Sequence, residues 1–184
     1  MEGCGSGCYH ASLNSGDFVA VGLPRAAAIL FWGRLKMFVS RKNLLVEWGH
    51  CDPAGIVYYP QYLAWFDDCT TALFTNAGMP TRALFRAHAI LGVPLVDVRV
   101  RFLLPSTFGD ELLAESTVTE FRRSSFIIRH QFFKAGALAV EGFETRVWAG
   151  TDPANPERMK SRPLPAEVIA RLSKAGAAEG QAKS

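Results

Sequence analysis

The sequence predicts an α+β domain in which a curved antiparallel sheet packs on one long helix. Three observations carry this expectation. A helix-patterned stretch runs from Pro60 to Gly78, between an early strand and a series of later ones. The later strands alternate apolar and polar residues and follow one another without a second long helix. At 184 residues with 49% hydrophobic and 20% charged, the chain is long and apolar enough for one domain with a sizeable core.

The elements are expected in this order. Asn43 to Trp48 reads as a strand, followed by a Pro/Gly turn at His50–Tyr59. Pro60 fits the first position of a helix, where its missing N–H costs nothing. Tyr62, Phe66, Cys69 and Leu73 recur at helical spacing, with Leu63, Thr70 and Phe74 beside them, so the helix has a broad apolar face and belongs in the interior. Gly78 suits its C-terminal cap and Pro80 prevents continuation, giving about five turns. Thr81–His88 reads as a short helix. Val96, Val98, Val100 and Phe102 alternate with Asp97, Arg99 and Arg101 in a half-buried strand. Pro105–Gly109 is a turn, and Asp110–Phe121 alternates less cleanly. Phe126, Ile128, His130 and Phe132 share one face of the next strand. Ala135-Gly136 punctuates a hairpin, and Ala137–Trp148 is the last long strand. Thr151–Pro156 reads as a loop and Pro165–Ser173 as a C-terminal helix. No internal repeat is visible.

The domain spans residues 37–173. Residues 1–36 differ from it: Met1–Gly16 is rich in Gly and Ser and shows no hydrophobic periodicity. Two readings stay open for this segment, a disordered or loosely docked extension and a start-site artefact with translation beginning at Met37; we favour the second. Glu2 and the lack of clustered positive charge argue against a signal peptide. Residues 174–184 read as a flexible polar tail.

Composition excludes several classes. A net charge of +3 with no Lys/Arg run argues against nucleic-acid binding, while favouring an anionic small molecule. No apolar stretch reaches the roughly 18 residues a membrane span needs. Cys4, Cys8, Cys51 and Cys69 read as free thiols of a protein in the reducing cytoplasm. Cys4, Cys8 and His10 supply three metal-ligand types and no clear fourth, so neither a metal nor a redox cofactor is expected.

The chemistry-bearing stretch is Val46–Pro60. It places Asp52 in a turn between a strand and a helix start. A carboxylate facing a helix N-terminus can attack a carbonyl carbon or activate water, while backbone N–H groups hold the developing oxyanion. Gly55 lets backbone approach a ligand closely, and the Tyr59 N–H would point at a bound carbonyl. Ordinary turn chemistry also accounts for Asp52-Pro53-Ala54-Gly55. His50 reads as incidental or as a tuner of Asp52, and Glu47 as a strand-edge charge. A His50–Cys51 dyad is disfavoured because neighbouring side chains in extended backbone point to opposite faces.

Taken with Glu47, Gly49, Cys51-Asp52-Pro53-Ala54-Gly55-Ile56-Val57, Tyr59-Pro60, Tyr62, Trp65, Asp67, Gly92, Pro94, Arg122-Arg123 and Ser125-Phe126, the stretch from Met37 to Leu172 resembles the hotdog-fold acyl-CoA thioesterases, in the 4-hydroxybenzoyl-CoA thioesterase branch. The resemblance implies a curved sheet wrapped around the helix and hydrolysis of a coenzyme A thioester. It implies Asp52 as the catalytic carboxylate and the Tyr59 N–H as donor to the thioester carbonyl. Asp67, acting from the partner subunit, is implied to contact a phenol hydroxyl, and Arg122 and Arg123 to meet the nucleotide end of coenzyme A. Val93 stands where the family carries Thr near the substrate ring, Ser124 where a third basic residue is expected, and Lys160 where another phosphate-binding arginine falls. An acyl-CoA substrate and a homodimer or homotetramer with interfacial sites are implied as partners. On the bare residues, Asp67 beside Asp68 also fits a solvated helix face, and Arg122-Arg123 also fits exposed charge at a strand end. Hydroxylated aromatic, plain aromatic and short aliphatic acyl groups all remain open, as does a non-catalytic acyl-CoA-binding role.

Overall fold

The structure, a computed structural model, describes residues 37–174 and the backbone of Ala177–Ala178. The expectations for residues 1–36, the Cys4, Cys8 and His10 group among them, and for most of the tail lie outside the described residues. Strand β1 (Val39–Leu45) leads through the Asp52 turn into helix α1 (Tyr59–Asn76) and a short helix α2 (Thr81–Ala87). Strands β2 (Leu95–Phe102), β3 (Glu111–Phe121), β4 (Ser125–Lys134) and β5 (Ala137–Val147) follow. A small hairpin, β6 (Ala149–Asp152) and β7 (Asn155–Ser161), precedes helix α3 (Ala166–Leu172) and the two-residue β8 (Ala177–Ala178). The main sheet has the order β2-β5-β4-β3-β1-β8 and is antiparallel throughout except for the β1–β8 pairing.

Helix α1 forms because its apolar residues fall on one side and it has this sheet to bury them against. Tyr62, Trp65, Phe66, Cys69, Thr70, Leu73 and Phe74 are buried. The first half of the helix packs with Val46, Val57, Leu112 and Phe132, and the second half with Phe126, Ile128, Trp148 and Val168. The closest approach is at Gly142 of β5, where a Cβ would collide with the Phe66 ring. That ring stacks on His130, the partner of Gly142 in the β4–β5 register, with centroids 4.7 Å apart. A missing side chain on one strand and a flat ring on the next thus seat the helix.

The helix ends, α2, the β4–β5 hairpin and the four long strands fall where the sequence puts them, within a residue or two. Four details differ. The first strand occupies Val39–Leu45 instead of Asn43–Trp48, because Trp48–His50 folds into a 3-10 turn. In that turn Glu47 is not a strand-edge charge: its N–H donates to His50 Nδ1 at 2.9 Å, so the two residues cap each other. Pro60 is the second helical residue, since Tyr59 already has helical geometry. The region expected as a Thr151–Pro156 loop is the β6–β7 hairpin, with Gly150 opposite Lys160. The fourth difference concerns β2. Val98 and Val100 pack against the core, while Val96 and Phe102 are 60% and 52% exposed, because among the described residues β2 is an edge strand paired with β5 alone.

Candidate active site

Asp52 sits at the tip of a small hairpin between β1 and α1. Cys51 pairs with Val57, the Asp52 N–H donates to the Ile56 carbonyl at 2.9 Å, and the Gly55 N–H donates to the Asp52 carbonyl at 2.9 Å. Gly55 has φ +78°, a left-handed conformation that side chains rarely adopt, and the space beside its Cα is open. The Ala54 N–H donates to Asp52 Oδ1 at 2.8 Å, fixing one carboxylate oxygen in the turn and leaving the half-buried group otherwise uncommitted among the described residues. His50 is held on both sides, by the Glu47 N–H and by an edge-on contact of its ring with Trp65.

The hairpin is tied to the helix start, since the Tyr58 N–H donates to the His50 carbonyl at 2.9 Å. The Tyr59 N–H, on the first helical residue, has no backbone acceptor among the described residues, as expected of a first-turn donor. Tyr59 borders a cavity of about 380 Å³ together with Ile56, Val57, Tyr62, Phe102 and Ser106. Asp52 does not line this cavity within one chain.

Asp67 lies about two turns further along α1. It shares a second cavity, of about 330 Å³, with Val93, Pro94, Phe85, Met159 and Arg146. Here a buried polar network emerges that sequence reading missed. Arg146 Nη2 donates to Asp67 Oδ1 at 2.8 Å, and its Nε and Nη2 donate to Glu144 Oε2 and Oε1 at 2.9 and 3.1 Å. The Thr70 hydroxyl and His130 Nε2 both approach Glu144 Oε2 at 3.2 Å, and His130 Nδ1 lies 2.7 Å from the Ser116 hydroxyl. Burial disfavours ionised Glu144, but the bonds from His130 and Arg146 outweigh it and bring its carboxyl down to about 2. Burial lowers the His130 pKa, against the opposing pull of Glu144. The neutral ring then donates from Nε2 to Glu144 and accepts the Ser116 hydroxyl at Nδ1. A signal was present in the sequence: a histidine sits on the apolar phase of β4, and Glu144 and Arg146 fall on the buried phase of β5, with Glu144 diagonal to the His130–Gly142 pair.

Arg122, Arg123 and Lys160 stand apart from both cavities. Arg122 and Arg123 are exposed in the β3–β4 turn, with Arg122 Nε on Glu120 Oε1 at 2.7 Å. The Arg123 carbonyl accepts the Leu164 N–H, which joins this turn to the chain just after β7. Lys160, exposed on β7, lies 3.5 Å from Asp152. One chain therefore brings Asp67 and Val93 together and keeps the Asp52–Tyr59 region and the basic residues in two further places.

The chain belongs to the thioesterase-like superfamily, whose sequence profile matches residues 46–172. A 4-hydroxybenzoyl-CoA thioesterase from Pseudomonas sp. (strain CBS-3) is 33% identical over 130 residues, 67% of this chain and 90% of the relative. A crystal structure of a mutant 4-hydroxybenzoyl-CoA thioesterase complexed with 4-hydroxybenzoyl-CoA superimposes with a TM-score of 0.68 at 32% identity, covering 73% of this chain and 99% of the other. A gentisyl-coenzyme A thioesterase structure gives a TM-score of 0.62 at 30% identity over 73% and 99% of the two chains. The fold is the hotdog fold, and the protein is an acyl-CoA thioester hydrolase.

Proposed function

We propose that this enzyme hydrolyses the coenzyme A thioester of an aromatic, hydroxyl-bearing acid such as 4-hydroxybenzoate, releasing the free acid and coenzyme A. The observation that carries this reading is the pairing of Asp67 with Val93 and the aromatic wall of Phe85 in one cavity, in a chain similar to a 4-hydroxybenzoyl-CoA thioesterase. A carboxylate beside the apolar wall of Phe85, Leu91, Val93 and Met159 suits a ring that carries a hydroxyl.

In this reading the thioester carbonyl faces the Tyr59 N–H, where the donor and the helix dipole stabilise the oxyanion. Gly55 keeps the approach open. Asp52 either attacks the carbonyl carbon, expelling the CoA thiolate and leaving a mixed anhydride that water cleaves, or takes a proton from the attacking water. Arg122, Arg123 and Lys160, exposed cations outside both cavities, hold the phosphates of coenzyme A. The enzyme works as a dimer in the cytoplasm, with dimers pairing into a tetramer. The exposed apolar edge at β2 supports association, and the free thiols of Cys51 and Cys69 suit a reducing compartment.

Release of free thiol from 4-hydroxybenzoyl, benzoyl, phenylacetyl and short-chain CoA esters tests the substrate. Highest kcat/KM on the hydroxylated aromatic ester is expected, and a preference for short chains would favour the second reading, an aliphatic acyl-CoA substrate, which the apolar Val93 and Met159 also suit. Asp52→Asn is expected to lower kcat by about 10³-fold or more with little change in KM. Full activity in that variant would remove Asp52 from the chemistry.

A further inference from the structure

We propose that Arg146 is a positioning residue for substrate choice: it fixes the Asp67 carboxylate on the cavity wall as a hydrogen-bond acceptor, so that the site favours acyl groups bearing a hydroxyl. The inference rests on the reading of this cavity as the acyl site.

The ion pair has two unlike ends. The Arg146 side chain is 6% exposed and that of Asp67 is 71% exposed, so a cation anchored in the core reaches a carboxylate that stands in the cavity. The guanidinium is committed on every side, to Glu144 through Nε and Nη2, to Asp67 through Nη2, and to the Val93 carbonyl through Nη1 at 3.3 Å. A planar fork bound at three places has no freedom to rotate. Glu144 is itself clamped by Thr70 and His130, and His130 by Ser116. Arg146 thus ties α1, β5 and the 92–94 wall of the cavity together and presents Asp67 in one orientation.

Charge sets what that carboxylate selects. One cation lies between two carboxylates, and the His130 ring is neutral, so the cluster carries an excess negative charge. An ionised carboxylate only accepts hydrogen bonds. It therefore takes an O–H donor and repels an acyl group that ends in its own carboxylate, and a site built to pair with a hydroxyl discriminates against the analogue without one.

Wild type, Asp67→Asn, Arg146→Lys and the double variant are compared on 4-hydroxybenzoyl-CoA and benzoyl-CoA by thiol release. The readout is the ratio of kcat/KM for the two esters, which does not depend on how much of each preparation is folded. The wild type is expected to favour the hydroxylated ester about tenfold or more. Arg146→Lys keeps a positive charge beside Glu144 and loses the fork, so it is expected to lower the ratio about as far as Asp67→Asn does, mainly through KM for the hydroxylated ester, with no further fall in the double variant. A ratio retained by Arg146→Lys and lost by Asp67→Asn overturns the role of Arg146 and leaves the cavity reading standing, as does a further, independent fall in the double variant. A wild type without turnover, or with a ratio near one, overturns the cavity reading and this proposal with it. Should Arg146→Lys yield no soluble protein, the paired Glu144→Gln and Arg146→Met change removes both buried charges at once and is read in the same way.

Discussion

His130 occupies a core position of β4, between Ile128 and Phe132, where the alternation otherwise places apolar side chains. Its neutrality makes stability depend on pH in a definite direction. Below the ordinary 6.5 the unfolded chain protonates this histidine and the folded chain resists, so the unfolded state binds more protons and stability falls with acid. Glu144 acts in the same direction at lower pH. Its carboxyl is held down to about 2 from 4.5, so the stability it adds is present above 4.5 and is lost as the pH falls toward 2. Urea unfolding from about pH 8 to about pH 2.5 is expected to show a plateau above neutrality and a decline that begins near 6.5 and steepens below 4.5. His130→Gln is expected to flatten the first part of that decline and leave the second. At this scale the site was only half legible in the sequence. Asp52 and Gly55 announce themselves because a turn next to a helix start is written in local residue types. Glu144 and Arg146 read as two more charges on a strand, since nothing local says that they face inward and meet Asp67 from a distant helix.

The β4–β5 hairpin turns on Ala135-Gly136, with φ +48° and +82°. Two successive residues with positive φ make the tight turn whose twist matches the flanking strands, and Asn-Gly is the pair that adopts it most readily. Ala135 holds the left-handed conformation at a cost, because its Cβ crowds the backbone there. Ala135→Asn is therefore expected to raise stability by about 0.5–1 kcal/mol in urea unfolding, without change in kcat or KM. This turn was readable because its residues sit between two long alternating strands. The β6–β7 hairpin was not, for a physical reason: every residue of β7 is exposed, so no core imposes alternation on it. The misplaced end of β1 has the opposite cause. Val46 is buried after the strand has ended, so the apolar pattern runs on into the 3-10 turn.

On the scale of the molecule, apolar surface is left over where the proposed chemistry lies. Val96 and Phe102 of β2 and the following Leu103 and Leu104 are exposed, and among the described residues β2 has one unpaired edge. Tyr58, Tyr59, Trp48 and Phe108 add exposed aromatic rings around the start of α1. A single chain divides its candidate residues among the Asp52–Tyr59 region, the Asp67 cavity and the basic turn, with Tyr59 and Asp67 lining separate cavities. An antiparallel pairing of two copies through β2 would cover the open strand edge and bring the Phe102 end of one chain, on the Tyr59 cavity, toward the Pro94 end of the other, on the Asp67 cavity. Val96→Lys places a charge on that edge and leaves the core of the chain untouched. It is expected to give a monomer in light scattering, with thioester hydrolysis reduced at least about tenfold while the circular dichroism spectrum stays that of the wild type. The loss should be the same for every acyl group, because an incomplete site fails before it selects. A wild type that scatters as a monomer and still turns over, or a monomeric variant with full activity, would mean that one chain holds a complete site and that the exposed edge serves something else.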